Sequence, residues 1–320
     1  MSVALKIGTR DSQLAVWQAT LVKGELAKAG ISSELVYIKS DGDIDLVTPL
    51  YAMNVQGVFT KALDAALLSN RIDIAVHSMK DVPTQLAQGI VQAAVLKRAS
   101  YKDIFIYKHK NVIDDWGLLE ESPDNPSIAG LIATSSVRRK AQWLHRYPNH
   151  GIENLRGNVN TRLHKVEESN WDGAIFAAAG LERIHVRPAN SIELPWMLPA
   201  PAQGAIMVVC REGDAHAAEA CGILNDAETA VCTKLERDFL KTLMGGCSTP
   251  ISALAEIKDN ILTFKGSILS TDGKQKVSVE KNVPAYGSYT AENVGIDCAN
   301  EVLQKGGANI VQTIRNAANW

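Results

Sequence analysis

Two stretches of the chain share one layout: an apolar strand, a Thr, a short Ser/Arg cluster and then an amphipathic helix. They are "KIGTRDSQLAVWQ" at residues 6–18 and "LIATSSVRRKAQW" at residues 131–143. Alternating strands and helices are typical of α/β domains, in which the helices cover the faces of a parallel sheet. Because the layout occurs twice, the sequence predicts two α/β units with parallel sheets.

The tail beyond Cys221 follows a different pattern. A long helix, "AETAVCTKLERDFLKTLMG", precedes three apolar segments, "ISALAEI", "ILTFKGSIL" and "KQKVSVE", and a last helix follows them. Only short turns separate these segments, which favours adjacent antiparallel strands. The tail is therefore predicted to be a small α+β domain with a three-stranded antiparallel sheet.

Composition excludes several classes of protein. The chain has 320 residues, 46% of them hydrophobic, and a formal net charge of −2, so no global field favours nucleic acid or a membrane surface. No apolar run reaches the roughly 18 residues of a membrane span, and no secretory pattern is apparent. The five cysteines include no C-x-x-C pair, which predicts reduced thiols, no metal site and a cytoplasmic protein.

The positive charge is concentrated locally. Residues 134–166 contain seven Lys or Arg and one acid, Glu153. Guanidinium groups suit carboxylate or phosphate binding, and the helix starts near Ser12 and near Ser135 or Ser136 would add backbone donors for an anion. We expect a cleft between the two units that holds an anionic ligand. Helix capping alone, a solvated basic face and a nucleic-acid patch are the alternatives, the last weakened by sparse aromatic residues.

Two further motifs carry reactive groups. "HSMKDVPT" follows a strand and presents Lys80 and Asp81 at its carboxyl end, where α/β sheets bind ligands. Lys80 would bind a substrate carboxylate and Asp81 would stabilise a developing cation or move a proton, unless the two form only a surface pair. "GGCSTP" presents Cys247 beside two glycines, which indicates a thiol available for covalent attachment. The residues around it do not identify the attached group.

Six motifs, in this order and spacing, resemble the porphobilinogen deaminase (hydroxymethylbilane synthase) family: "HSMKDVPT", "TSSVRRKAQ", "LRGNVNTRL", "AAAGLERI", "PAQGAI" and "GGCSTPI". The resemblance extends over almost the whole chain. It implies two lobes like those of periplasmic binding proteins, crossed twice by the chain, and a third domain. The expected boundaries are 1–98 with 200–218 for the first domain, 102–196 for the second and 221–320 for the third.

The resemblance also implies an activity. The enzyme, a transferase of haem and porphyrin biosynthesis, would join four porphobilinogen molecules head to tail into 1-hydroxymethylbilane and release ammonia at each step. Chain growth would start on a dipyrromethane cofactor held by a thioether to Cys247. A monomer is expected. A polycarboxylate-binding module with an inert Cys247, or a thiol enzyme of another kind, remains the alternative.

The same resemblance assigns roles to individual residues. Asp81 would be catalytic, and the segment Ser40–Gly57 would form a mobile lid. The groups that bind the cofactor and substrate side chains would be Arg10, Ser12, Lys80, Ser136, Arg138, Arg139, Arg156, Arg162 and Arg183. The chain departs from the usual family pattern at Asp41, Gln56 and Asn160, which places lid contacts and turnover rate in doubt rather than the reaction.

Overall fold

The computed structural model describes residues 4–39, 60–108, 130–243, 249–285 and 289–318. Cys247 and the expected lid Ser40–Gly57, with Asp41 and Gln56, lie outside the described residues. The described elements are, in chain order, β1 Leu5–Thr9, α1 Gln13–Lys28, β2 Ser33–Tyr37, α2 Lys61–Leu68, β3 Ile74–Ser78, β4 Ile90–Val95, β5 Asp103–Tyr107, β6 Leu131–Ala133, α3 Val137–Arg146, β7 Gly151–Glu153, α4 Val159–Glu168, β8 Gly173–Ala177, α5 Ala178–Glu182, β9 Ser191–Glu193, β10 Ile206–Arg211, α6 Ala215–Gly222, α7 Ala227–Thr242, β11 Ile251–Lys258, β12 Ile261–Leu269, β13 Lys276–Pro284, α8 Tyr289–Val302 and α9 Ala308–Ala318.

Two five-stranded sheets share one topology. Their strand orders are β2-β1-β3-β10-β4 and β7-β6-β8-β5-β9. The strands of the two repeated stretches, β1 and β6, occupy equivalent places, and each pairs in parallel with both of its neighbours. Each sheet takes its fourth strand from a segment that has just crossed from the other lobe, so the predicted double crossing is confirmed.

The prediction of parallel sheets is wrong for those two crossing strands. β10 runs antiparallel to β3 and β4, and β5 runs antiparallel to β8 and β9. The register explains the reversal, because Ile206 pairs with Ser78 and Asp103 pairs with Ala177, the last residues of β3 and β8. A strand that enters a sheet at the carboxyl ends of its neighbours has to run against them.

Helices cover both faces of each sheet, as the alternating pattern requires. In the first lobe, one core forms with α1 and α6 and the other with α2. In the second lobe, α4 and α5 cover one face, and α3 covers the other with the buried ring of Trp143. The α/β fold class is therefore confirmed, whereas the exact domain boundaries stay a prediction.

The C-terminal sheet is antiparallel in the order β11-β12-β13, as predicted. Its core packs the Phe239 ring of α7 against Phe264 at a centroid distance of 5.4 Å. Gly266 is required there, because a Cβ would lie 2.6 Å from the Phe239 ring. The hairpin between β11 and β12 turns at Asp259 and Asn260, both with positive φ, a conformation that Asn and Asp tolerate better than most residues.

Glu236 joins the three domains at one buried point. Its carboxylate is 0% exposed and accepts hydrogen bonds from the Arg98 guanidinium at 2.6 and 3.1 Å. It also accepts from the backbone N–H groups of Ala202 and Ala255 at 2.6 and 2.8 Å. Arg98 lies in the first crossing, Ala202 in the second and Ala255 in β11. One side chain therefore satisfies donors from both crossings and from the C-terminal sheet.

Replacing Glu236 by Ala should lower the free energy of unfolding by about 3–5 kcal/mol, because the Arg98 guanidinium loses its carboxylate and the backbone N–H groups of Ala202 and Ala255 are left buried without an acceptor. Urea denaturation followed by tryptophan fluorescence measures this loss. Glu25→Ala is the control, since its ion pair with Lys28 is solvent-exposed and should contribute less than about 1 kcal/mol. Equal losses in the two variants would contradict the role given to Glu236.

Candidate active site

A cavity of about 710 Å³ opens between the two lobes. This volume lies within the range of about 300–1,000 Å³ that small-molecule sites occupy. Nine of the ten predicted site residues that the structure describes line it: Arg10, Ser12, Lys80, Asp81, Ser136, Arg138, Arg139, Arg156 and Arg162. The crossings enter each sheet at strand carboxyl ends, so groups at the ends of strands in both lobes converge here.

Arg183 is the predicted site residue that does not line this cavity. It is buried, and its Nη2 donates to the carbonyl of Gly204 at 2.7 Å. The guanidinium carbon lies 5.8 Å from the centroid of the Trp17 ring. Burial lowers the pKa of Arg183 to about 10, opposed by Glu182, so the side chain stays cationic at neutral pH. Arg183 therefore connects the second crossing to α1, and a binding role for it remains a prediction.

Lys80 and Asp81 lie in a single 3₁₀ turn, Met79–Asp81, directly after β3. The Met79 N–H donates to Ala205 at 3.0 Å, and Arg237 Nη1 donates to the carbonyl of Val82 at 2.9 Å, so both ends of the turn are held. Lys80 Nζ lies 3.4 Å from Gln203 Oε1. Burial lowers the pKa of Lys80 to about 8, with Asp81 acting against the shift and Arg139 adding to it.

Arg138 and Arg139 are not solvated cations, because both bind a buried aspartate. Arg138 Nη2 donates to Asp103 Oδ2 at 2.7 Å, and Arg139 Nη2 donates to Asp103 Oδ1 at 2.7 Å. Burial alone would raise the pKa of Asp103, but the two guanidinium groups lower it to about 2. Gln203 Nε2 also donates to Asp103 Oδ1 at 2.9 Å.

Sequence reasoning missed Asp103 and Gln203 as members of the site. Asp103 only begins the apolar strand "DIFIY", and Gln203 lies within "PAQGAI". A carboxylate placed directly before a fully apolar strand is one available signal, because such a group is buried with the strand and requires a cationic partner. Nothing local, however, identifies that partner as residues 35 and 36 positions further along the chain.

Arg156 and Arg162 are placed by a turn that begins α4. Gly157 has φ +114°, which glycine adopts without strain, and the Asn158 side chain caps the helix by accepting from Thr161 N–H at 3.0 Å. Arg162 Nε donates to the carbonyl of Gly157 at 2.7 Å. Burial lowers the pKa of Arg162 to about 10, and Arg139 adds to this while Asp81 opposes it. Arg162 therefore remains cationic within the field of Asp81.

The two repeated helix starts differ in their caps. Ser136 caps α3 by accepting from the Arg139 N–H at 3.4 Å, whereas Ser135 donates to the carbonyl of Leu155. Ser12 occupies the equivalent position before α1, but its side chain makes no capping hydrogen bond. The two predicted repeats thus share a backbone layout, but only the second has a side-chain cap at its helix start.

Asn160 takes part in a contact between the lobes. Its Nδ2 donates to Gln13 Oε1 at 2.7 Å, and both residues line the cavity. Gln13 begins α1 in the first lobe, and Asn160 lies in the first turn of α4 in the second. A glycine at position 160 would lack this bond.

Across the described parts of the chain, no cluster of three His, Cys, Asp or Glu residues could hold a metal ion. The same parts contain no helix with the length and apolarity needed to cross a membrane. His77, near the cavity, is buried, and burial followed by the charge of Arg10 lowers its pKa to about 4. It is therefore neutral at pH 7.

The fold and the cavity define a class: a two-lobed α/β protein with a C-terminal α+β domain and a cleft lined by Lys and Arg residues. Family models agree with a narrower assignment. Residues 5–219 match "Porphobilinogen deaminase, dipyromethane cofactor binding domain", and residues 230–304 match "Porphobilinogen deaminase, C-terminal domain". The chain belongs to the porphobilinogen deaminase family.

Full-length relatives support this membership. A porphobilinogen deaminase of Syntrophotalea carbinolica is 40% identical over 98% of this chain and 96% of that protein. One from Chloroherpeton thalassium is 37% identical over 98% of this chain and 99% of that protein. Among solved structures, a periplasmic substrate-binding protein of an ABC transporter from Coxiella burnetii aligns with a TM-score of 0.40 and 13% identity, covering 71% of this chain and 94% of that chain. The resemblance identified from the sequence motifs is confirmed.

Proposed function

We propose that the chain is a hydroxymethylbilane synthase. It condenses four porphobilinogen molecules head to tail into 1-hydroxymethylbilane and releases one ammonia for each addition, as a step of tetrapyrrole biosynthesis. The observation that carries this proposal is the cleft itself, since among the described residues seven Lys or Arg and two Asp line one cavity in a member of this family.

The charge of the cleft suits a pyrrole chain. Each porphobilinogen unit brings one acetate and one propionate, so every addition carries two more carboxylates into the cavity. Carboxylates that leave water without partners are strongly destabilised, and bidentate guanidinium groups are their strongest side-chain partners. Arg10 and Lys80 from the first lobe and Arg156 and Arg162 from the second lobe can engage such a chain from both sides.

The residues present fit a dipyrromethane cofactor. Its four carboxylates match the cationic lining of the cavity, and the family model for residues 5–219 is described as the domain that binds this cofactor. We propose that Cys247 holds it through a thioether. Two residues that follow this cysteine closely, Thr249 and Ile251, line the cavity, which supports the attachment. When bound, the cofactor supplies the free α-carbon to which the first substrate unit is joined.

The side chains of the cleft account for the chemistry. Loss of ammonia from the aminomethyl group of porphobilinogen leaves an azafulvenium cation. The bound pyrrole chain, held by the arginines, would supply the α-carbon that bonds to this cation, with loss of the proton on that carbon. Asp81 stabilises the cation near the pyrrole N–H, where its negative charge is most useful. Lys80 binds a substrate carboxylate, and the arginines hold the others so that the reacting carbons stay aligned.

We also propose a monomeric, cytoplasmic enzyme. Four of the five cysteines, Cys210, Cys221, Cys232 and Cys298, are buried free thiols. Burial raises the pKa of both Cys221 and Cys232 to about 12, which makes them unreactive and suits a reducing compartment. Sedimentation velocity of the purified chain tests the monomer.

Intact-protein mass spectrometry and a bilane assay on the purified chain test the function. Protein from cells that make porphobilinogen should exceed the mass of the bare chain by two porphobilinogen-derived pyrrole units and should form hydroxymethylbilane. A two-lobed binding protein would instead have the bare mass and bind polycarboxylates without turnover. A thiol enzyme of another kind would lose its activity on alkylation of Cys247, which a thioether protects.

Lys80 should give the enzyme an alkaline limit. The Lys80 ammonium binds a carboxylate only when protonated, and because burial lowers its pKa to about 8, the charged fraction falls as the pH rises through that value. We expect kcat/KM for porphobilinogen to decline above pH 8, since this ratio reports groups of the free enzyme. Lys80→Arg should abolish this decline, because a guanidinium stays charged. An unchanged decline in that variant would contradict the assignment.

A further inference from the structure

Asp103 binds Arg138 and Arg139, two of the arginines that line the cavity, although it does not line the cavity itself. It is 0% exposed and is the first residue of β5, where the chain enters the second lobe. Its carboxylate accepts from Arg138 Nη2, from Arg139 Nη2 and Nε, and from Gln203 Nε2, at 2.7, 2.7, 3.1 and 2.9 Å respectively. Both carboxylate oxygens are used, so the group is held in one orientation.

The two arginines are consequently fixed in position as well. Arg138 Nη1 donates to the carbonyl of Leu198 at 2.7 Å, and Arg139 Nη1 donates to that of Ile175 at 3.0 Å. Both residues line the cavity. Arg138 is 5% exposed, and its Nε is buried with no hydrogen-bond partner among the described residues. A buried cationic donor of this kind requires an acceptor that the described residues do not supply.

The charges of this cluster do not cancel. Two guanidinium groups face one carboxylate, which leaves one net positive charge beside the cavity. Gln203 extends the cluster to the other lobe, because its Nε2 donates to Asp103 and to the carbonyl of Tyr101 while its Oε1 lies 3.4 Å from Lys80 Nζ. The Gln203 side chain thus connects Asp103 to Lys80 of the first lobe.

We propose that Asp103 is a positioning residue that aligns Arg138 and Arg139 toward the cleft and limits their combined charge so that they accept one acetate or propionate of the pyrrole chain. This inference rests on the proposed function. Without the aspartate, two adjacent buried cations would repel each other and turn away from this geometry. With it, the pair is preorganised before any ligand carboxylate arrives, so no reorganisation is required on binding.

The test uses enzyme that carries the two pyrrole units, and it separates the effect of the Asp103 charge from the effect of the position of its carboxylate. Asp103→Asn, in protein shown by mass to carry the two pyrrole units, should lower kcat/KM by about tenfold or more because the arginines are misaligned. Four charged groups act on Lys80, namely Asp81, Asp103, Arg138 and Arg139. Asp103 raises the pKa of Lys80, so its removal should also move the alkaline decline to lower pH. Asp103→Glu keeps the charge but displaces the oxygens, so only kcat/KM should fall.

Asp214→Asn is the matched control, because Asp214 is also an aspartate that binds an arginine, Arg211, and neither residue lines the cavity. It should lose stability while keeping kcat/KM and the pH profile. The inference is overturned if Asp103→Asn matches the wild type in both kcat/KM and the alkaline decline, if Asp214→Asn reproduces both changes, or if Asp103→Glu shifts the alkaline decline as Asp103→Asn does.

A second variant covers the case in which Asp103→Asn does not fold. Gln203→Leu removes one donor to Asp103 and the connection to Lys80, so it should give smaller changes of the same sign in kcat/KM and in the alkaline decline. Wild-type values for both would overturn the inference. A wild-type chain that has neither the pyrrole mass nor bilane formation would instead overturn the proposed function, and this inference with it.

Discussion

Cys247→Ser should yield a folded protein that lacks the two pyrrole units and forms no hydroxymethylbilane. A thiol ionises near pH 8.5 and its thiolate is a strong nucleophile, whereas a serine hydroxyl remains protonated and weak without an activating base. The serine variant therefore cannot acquire the primer on which every later addition depends. We expect activity to fall by about a thousandfold or to the assay limit, a loss comparable to removal of other covalent nucleophiles.

Intact mass, the bilane assay and thermal denaturation measure this effect together. Cys232→Ala is the control, because Cys232 is a buried free thiol on α7, and it should retain the pyrrole mass and turnover. A Cys247→Ser protein that still carries both pyrrole units would show that the cofactor is attached elsewhere. Retention of bilane formation without the added mass would show that no covalent primer is needed.

Asp81→Asn should reduce kcat by about 10²–10⁴-fold, the range for loss of a positioned acid–base group or a charge stabiliser. Among the described residues, seven Lys or Arg and two Asp line the cavity, so the loss of Asp81 removes much of the negative charge that could stabilise a developing azafulvenium cation. The amide has almost the same shape, which preserves the fold. Rapid-quench kinetics of ammonia release, measured on protein with confirmed pyrrole mass, gives the effect on the chemical step.

Asp172→Asn provides the comparison for this second prediction. Asp172 accepts from the Leu131 N–H at 2.7 Å in the second lobe and does not line the cavity. The substitution Asp172→Asn should lower the free energy of unfolding by about 1–2 kcal/mol and leave kcat close to that of the wild type. Asp81→Asn turnover within a few-fold of the wild type would exclude Asp81 from the chemical step.

Several elements could be predicted because their signals are local. The helix α1, the helix α4 after its Arg–Gly–Asn turn, and the three C-terminal strands follow from periodicity and turn residues within a few positions of each other. The cationic lining was also predictable, since Arg138, Arg139, Arg156 and Arg162 fall at helix starts that follow strands.

Other features depend on groups that are distant in sequence. The ion pairs of Asp103 with Arg138 and Arg139 connect residues that meet only after β5 has entered the second sheet. The exclusion of Arg183 from the cavity depends on the path of the second crossing past Gly204. No pattern within a few residues of these side chains distinguishes a ligand-binding arginine from a buried structural one.

The sequence alone determined the two α/β units, the C-terminal α+β domain, the family and the nine predicted site residues that line the cavity. These properties follow from residue type and short-range spacing, which can be read from the sequence without knowledge of the folded structure. Only the tertiary structure decided that β5 and β10 run antiparallel to their neighbours and that the buried Asp103 binds Arg138 and Arg139. The direction of a strand and the partner of a charge depend on where each crossing enters its sheet, and that is set by packing between distant segments.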